Sequence, residues 1–226
     1  MIWPATSVAT DGPLSGVRVL DLSAYAVGPW SASLLAMLGA DVIKVDPPYG
    51  DPIRAVRPRL NGEPTTYTTS NQGKRCVMLD LKAPADREVT LALASSADVL
   101  VENFRSGALD RLGLGYTELS KLNPRLIFCS SGSFGDKGPM ASAGSTDPHG
   151  QAFNGFVSIN GVRGGDPEFL RHKAVIDLAT SAYLAASALL GLQYRARFGT
   201  GCHFESSQME GALAIQINRI AEYFAS

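Results

Sequence analysis

Short apolar, β-branched runs alternate with helical stretches from Val17 onward. Residues 17–21 read as a strand ending in an acid, and residues 41–45 as a second strand stopped by Pro47-Pro48-Tyr49-Gly50. Between them, residues 29–38 form a helix of small residues, opened by Gly28-Pro29 with proline in its first turn. A long polar loop then runs to about Gly73. Residues 76–81 are a third strand, 84–95 a helix and 98–102 a fourth strand. Residues 107–112 and 117–122 are short helices, and 126–131 a fifth strand. Strands spaced this way by helices predict right-handed crossovers and a parallel sheet with helices on both faces. Val42-Ile43 and Asp98-Val99-Leu100-Val101 fit strands buried on both sides.

The pattern changes after Ser131. Residues 132–144 are Gly/Ser-rich and irregular, 151–160 are a helix or an extended piece, and 162–173 a charged loop. Residues 176–195 carry the longest helical pattern. It is apolar around most of its circumference, which predicts deep burial. Phe204-Glu205 sits in a brief strand, and residues 208–224 form one closing helix. Residues 1–14 read as a flexible leader and residues 15–226 as one domain.

The 226 residues carry 20 Lys and Arg against 21 Asp and Glu, a balance that argues against a surface made to coat a polyanion. Cys76, Cys129 and Cys202 are too few and too scattered for a disulfide framework or a zinc knuckle, and read as buried thiols in a reducing cytoplasm. The uncharged run 22–40 is broken by Gly28-Pro29, and the run 178–194 falls short of the ~20 apolar residues of a membrane span. Residues 1–16 do not have the layout of a signal peptide. There is no phosphate loop, no Gly-x-Gly-x-x-Gly after the first strand and no Gly-x-Ser-x-Gly elbow. His149, His172 and His203 lie outside any metal-ligand spacing, so no metal is expected. Chemistry on a bound substrate, without a tightly held cofactor, remains.

Four strings stand together in order. The first is Pro13-Leu14-Ser15-Gly16-Val17-Arg18-Val19-Leu20-Asp21 with Gly28-Pro29 and Leu38-Gly39-Ala40-Asp41-Val42-Ile43-Lys44-Val45. The second is Asn71-Gln72-Gly73-Lys74-Arg75 leading to Leu79-Asp80-Leu81-Lys82. The third joins Ala97-Asp98-Val99-Leu100-Val101-Glu102-Asn103-Phe104-Arg105 to Gly107-Ala108-Leu109-Asp110-Arg111-Leu112-Gly113. The fourth runs from Asn123-Pro124-Arg125-Leu126-Ile127 to Gly132-Ser133-Phe134-Gly135-Asp136-Lys137-Gly138-Pro139. In this order and register they resemble the class III coenzyme A transferases, the formyl-CoA transferase and carnitine CoA-transferase (CaiB/BaiF) family, over nearly the whole chain from Pro13.

The resemblance implies a Rossmann-like α/β core that binds coenzyme A, with acyl-CoA and a carboxylic acid acceptor as substrates. It implies a carboxylate nucleophile at Asp177, just before the long helix. From position alone, Asp177 reads as an N-cap or first-turn acid favoured by the helix dipole, and the two roles can hold together. By register, Tyr25, Ala26, Leu79, Asn103, Phe104 and Arg111 are CoA-binding positions, with Lys74 and Arg75 as further phosphate candidates or solvated surface charges. Pro47 stands where many members have an arginine. Thr146-Asp147 stands where the family's α-methylacyl-CoA racemases have His-Asp, which argues against proton abstraction, whereas Gln151-Ala152-Phe153-Asn154-Gly155 resembles the transferase version. Family chains are nearly twice as long and pair as interlocked subunits. The expectation is therefore a large domain without the family's small second one, acting as a homodimer or with a C-terminal-half subunit. A non-catalytic CoA-binding half is the alternative.

Overall fold

The computed structural model describes residues 3–4, 11–170 and 174–225; His172 of the sequence reading lies outside them. β1 (Arg18–Asp21), α1 (Val27–Met37) and β2 (Asp41–Asp46) make the first crossover. A small hairpin, β3 (Arg59–Leu60) and β4 (Glu63–Pro64), precedes α2 (Thr65–Ser70). The alternation resumes with β5 (Arg75–Met78), α3 (Pro84–Ser96), β6 (Val99–Glu102), α4 (Tyr116–Leu122) and β7 (Ile127–Gly132). Then come α5 (Asp147–Phe153), α6 (Phe156–Ile159), the long α7 (Val175–Phe198), β8 (Cys202–Ser207), α8 (Gln208–Ile215) and α9 (Ile217–Ala225). The sheet is parallel throughout, in the order β5-β2-β1-β6-β7-β8. Its winding reverses between β1 and β6, and in sheets of this kind ligands bind beyond the carboxyl ends of the strands at that reversal.

Alternate strand residues feed two cores, because successive side chains point to opposite faces. Leu20, Ile43, Leu100 and Phe128 pack with Leu93 of α3 and Leu119 of α4. Val19, Val42, Val99 and Ile127 pack with Ala32 and Leu35 of α1 and with Leu184 and Ala188 of α7. The predicted parallel α/β architecture is therefore the observed one.

Several expectations need correction. α7 is longer than the pattern suggested, at 24 residues, and long and apolar enough by composition to cross a membrane. It is buried along one side only: Leu184, Ala188 and Gly191 face the sheet and Ile176 and Thr180 meet α5 and α8, whereas Tyr183, Leu190, Tyr194 and Phe198 are exposed. The polar stretch before Gly73 is structured. The Asp51 carboxylate caps a short 3-10 turn at Pro52–Ala55, and hydroxyls of Thr68, Thr69 and Ser70 bond back to carbonyls one turn earlier. The closing helix is two helices, parted at Gln216, whose side chain bonds back to the Ala212 carbonyl and across to Asn154 Oδ1. Only Cys129 of the three free thiols is buried; Cys202 is half-buried and Cys76 exposed. In the expected leader, Trp3 is buried with its indole N–H on Asp41 Oδ2 (2.9 Å), and the Leu14 N–H meets the Leu38 carbonyl (2.9 Å).

Candidate active site

The loop joining β1 to α1 lies at the winding reversal, and its backbone is held at nearly every polar atom. The Asp21 carboxylate accepts from the Ser23 N–H (3.0 Å) and hydroxyl. Lys44 Nζ donates to the Ser23 carbonyl (2.6 Å). The Asn103 side-chain amide pairs with both backbone groups of Ala24 (2.7 and 2.8 Å), and Asp51 Oδ1 accepts from the Tyr25 N–H (3.1 Å). This clamp holds Tyr25 at φ 65°, a left-handed conformation that costs a residue with a Cβ about 1–2 kcal/mol and persists only where surroundings over-determine it. The Tyr25 ring is exposed and Ala26 half-buried beside it. Gly28 is required here: a Cβ would fall 2.2 Å from Ser23 Cβ.

The structure thus brings Tyr25, Ala26 and Asn103 together. Phe104 follows Asn103, half-buried, and packs on the same cluster as buried Leu79 at the end of β5. Arg111 is exposed and carries no ion pair among the described residues, so its guanidinium is available. Lys74 and Arg75 are neither phosphate candidates nor solvated charges. Lys74 is buried, with Nζ on Asp21 Oδ2 (2.8 Å), the Pro29 carbonyl (2.6 Å) and Asn71 Oδ1 (2.8 Å). Arg75 forks onto Asp41 at 2.7 and 2.8 Å. The physical reason is position: Arg75 opens β5 within reach of Asp41 at the start of β2, and Lys74, just before it, reaches Asp21 at the end of β1. Beside Pro47, Arg54 stacks on the Tyr67 ring (3.4 Å) and approaches Asp46 Oδ2 (3.5 Å), so a guanidinium does stand at the end of β2.

Lys44 is 1% exposed, yet it keeps its charge: burial works against the ammonium, but Asp21, Asp51 and Asp46 outweigh it and raise its pKa. Asp21 responds in the opposite sense. Burial pushes its carboxyl up, and Lys74 and Lys44 more than reverse this.

Asp177 lies in the first turn of α7, half-buried, and its contacts run to α5 and α8. It is not the cap. That task falls to Asp147 of α5, whose Oδ2 accepts from the N–H groups of Ile176 (2.6 Å) and Asp177 (3.0 Å), while its Oδ1 takes the Gln151 amide (2.5 Å). Asp177 Oδ1 accepts from the Gln208 side-chain amide, and its Oδ2 has no hydrogen bond among the described residues. Burial, then the Asp147 charge, push the Asp177 carboxyl up to about 6, with the Gln208 amide opposing them. It is therefore a carboxylate at neutral pH, more basic than an exposed aspartate. The sequence reading missed Asp147 as a cap and Gln208 altogether. The first could be found from its acid at the start of the Asp147-Pro148 helix; nothing in spacing announces the second, which arrives from a helix 31 positions away.

A second acid, Glu102, sits buried at the end of β6, where desolvation lifts its carboxyl to about 8 against the Phe104 N–H, with Asp110 and Glu205 adding to the rise. The two histidines the structure describes serve locally. His203 stacks on Tyr116 (4.9 Å) and bonds Ser130 Oγ (2.8 Å), and His149 bonds Thr146 Oγ1 (2.8 Å). Among the described residues no cluster could hold a metal ion.

A doubly wound parallel sheet with a clamped loop at its winding reversal defines a Rossmann-type α/β domain. The chain belongs to CoA-transferase family III, whose family model matches residues 14–226. It is 37% identical over 210 residues to an acetyl-CoA:oxalate CoA-transferase of Acetobacter aceti, covering 92% of this chain and 54% of that one. It is 37% identical over 222 residues to a succinate–glutarate CoA-transferase of Agrobacterium fabrum, covering 95% of this chain and 55% of the relative. Among solved structures, a CaiB/BaiF family protein of Brucella suis superposes with a TM-score of 0.91 at 34% identity, over 95% of this chain and 58% of its own. The chain thus spans about half the length of the curated relatives it matches.

Proposed function

We propose that this chain moves coenzyme A between carboxylic acids, with Asp177 as the nucleophile and CoA held at Tyr25, Ala26, Leu79, Asn103, Phe104 and Arg111. The observation that carries the reading is the division of labour at the start of α7: Asp147 caps the helix, and Asp177 Oδ2 has no hydrogen bond among the described residues. The carboxylate attacks the thioester carbonyl, the C–S bond breaks and the CoA thiolate leaves, its thiol pKa being about 8.5. The mixed anhydride is then attacked at the aspartyl carbonyl by the CoA thiolate, which releases the first acid as its carboxylate and leaves an aspartyl-CoA thioester. The acceptor carboxylate attacks that thioester, and the thiolate returns to the acceptor's acyl carbon, regenerating Asp177. The names of the relatives favour small dicarboxylic acids as donor and acceptor, such as succinate, glutarate and oxalate. A partner belongs to the same reading, as a second copy or as a chain that supplies the remaining length. One relative, from Chloroflexus aurantiacus, is named as a beta subunit.

The test is incubation with succinyl-CoA and trapping with hydroxylamine, followed by mass spectrometry of the peptide containing residue 177. The parent chain should give an aspartyl hydroxamate, and Asp177→Ala none. Equal reaction of Asp177→Ala sinks the proposal. Racemisation needs a base at position 146, where this chain has Thr146. No deuterium should enter the α-carbon of a 2-methylacyl-CoA, and exchange there would reinstate that reading with His149 as the nearby imidazole.

A further inference from the structure

Gln208 is the first residue of α8, 7% exposed, and has no part in capping its own helix. Ser207 does that, its hydroxyl accepting from the Glu210 N–H (3.1 Å) and meeting Glu210 Oε2 (3.1 Å). Gln208 spends its amide N–H on Asp177 Oδ1, and its Oε1 is buried without a partner among the described residues. A buried amide that satisfies only half of itself is costly, and an apolar side chain would fill the same space without that penalty. The contact with Asp177 is what the amide supplies.

We propose that Gln208 is the positioning residue of the nucleophile: its amide occupies Asp177 Oδ1 and so presents Oδ2 to the thioester carbonyl. The inference rests on the reading of Asp177 as nucleophile and deepens it. A hydrogen bond to the ionised carboxyl also favours the charged form, so the amide keeps Asp177 ionised against burial and the Asp147 charge. Among the described residues, Asp147 on α5 is the titratable group facing Asp177, and Glu210 on α8 is turned to Ser207.

The experiment follows the rate of hydroxylamine-trapped adduct against pH, with succinyl-CoA, in the parent, in Gln208→Met and in Gln208→Glu. Met keeps the unbranched shape and removes the donor. Glu keeps the polarity and sets a negative charge beside Asp177. The ascending limb should move up by about one pH unit in Q208M and further in Q208E. Trapping at pH 6 should slow about five- to tenfold from the shifted limb, and the rate above pH 8 should also fall, by a smaller factor, because Asp177 Oδ1 is no longer held. A limb that does not move in either variant that melts like the parent overturns the proposal. So does a loss of CoA binding with an unmoved limb. If Asp177→Ala still traps the adduct, the reading of Asp177 fails; if Asp177→Ala is silent and the limb stays put, only the role of Gln208 fails.

Discussion

Lys74 and Arg75 read as phosphate candidates or surface charges in the sequence and are structural in the fold, and so is Lys44, to which the sequence reading gave no role. Basic residues in polar strings read as phosphate ligands or surface charge because side-chain burial is not written into local spacing. The clue was in the strand: Lys44 lies in Val42-Ile43-Lys44-Val45, and a strand buried on both faces buries its lysine too. Such a residue is tolerated only if paired. Replacing Lys74 with Met leaves Asp21 buried beside a single remaining cation, and should cost about 3–5 kcal/mol, read from urea unfolding. Arg111→Ala touches no ion pair, so its urea midpoint should match the parent's while CoA binding weakens several-fold by calorimetry. A Lys74→Met chain as stable as the parent would mean that Asp21 finds another partner. Asp177 was legible as a position, but not in its duty. Position alone could not separate cap from nucleophile, because the competing cap, Asp147, comes from another helix.

The inner strands β1, β2, β6 and β7 were readable to within a residue at each end because parallel, doubly buried strands write themselves as β-branched runs, whereas the edge strands β5 and β8 were misjudged in length and the β3–β4 hairpin was missed. Helix extent was harder. The Thr-rich α2 lacks an apolar stripe, and its hydroxyls turn back on their own backbone, which composition scores as loop. α8 and α9 merged in the reading because Gln216 carries no breaker; the break comes from its tertiary bond to Asn154. α7 was judged buried all round because small apolar residues occupy both its sides, whereas the sheet covers one. That covered side is set by a close approach. A Cβ on Gly191 would lie 2.4 Å from Ile127 Cγ2, so Gly191→Ala must push α7 off β7. The expected loss is about 1–3 kcal/mol in thermal unfolding. An Ala variant that melts with the parent would show that the helix has room to shift.

At the scale of the whole molecule, the carboxyl group proposed as the nucleophile also weighs on stability. Asp177 moves from the ordinary 3.8 to about 6 on folding, so the folded chain binds its proton more tightly than the unfolded chain does. The penalty is absent below the unfolded value, grows as pH rises between the two, and is complete above about 6. A shift of this size corresponds to at most about 3 kcal/mol, and about 2 kcal/mol is a fairer expectation for a half-buried group. Glu102 adds a penalty of the same sign, completed only above about 8. Asp21 and His203 act the other way, Asp21 losing stability as pH falls below 3.8 and His203 as pH falls below 6.5. The raw pH curve therefore mixes several groups, and a difference between two chains isolates one. Asp177→Asn keeps an oxygen for the Gln208 amide and cannot ionise. Urea unfolding should find it more stable than the parent by about 2 kcal/mol at pH 7.5, with the gain fading to nothing near pH 4. A gain that does not fade in acid would assign the effect to packing. No gain at pH 7.5 would mean that Asp177 is better solvated than its place between α5 and α8 implies, and a carboxylate left in water would be a weak nucleophile at the start of α7.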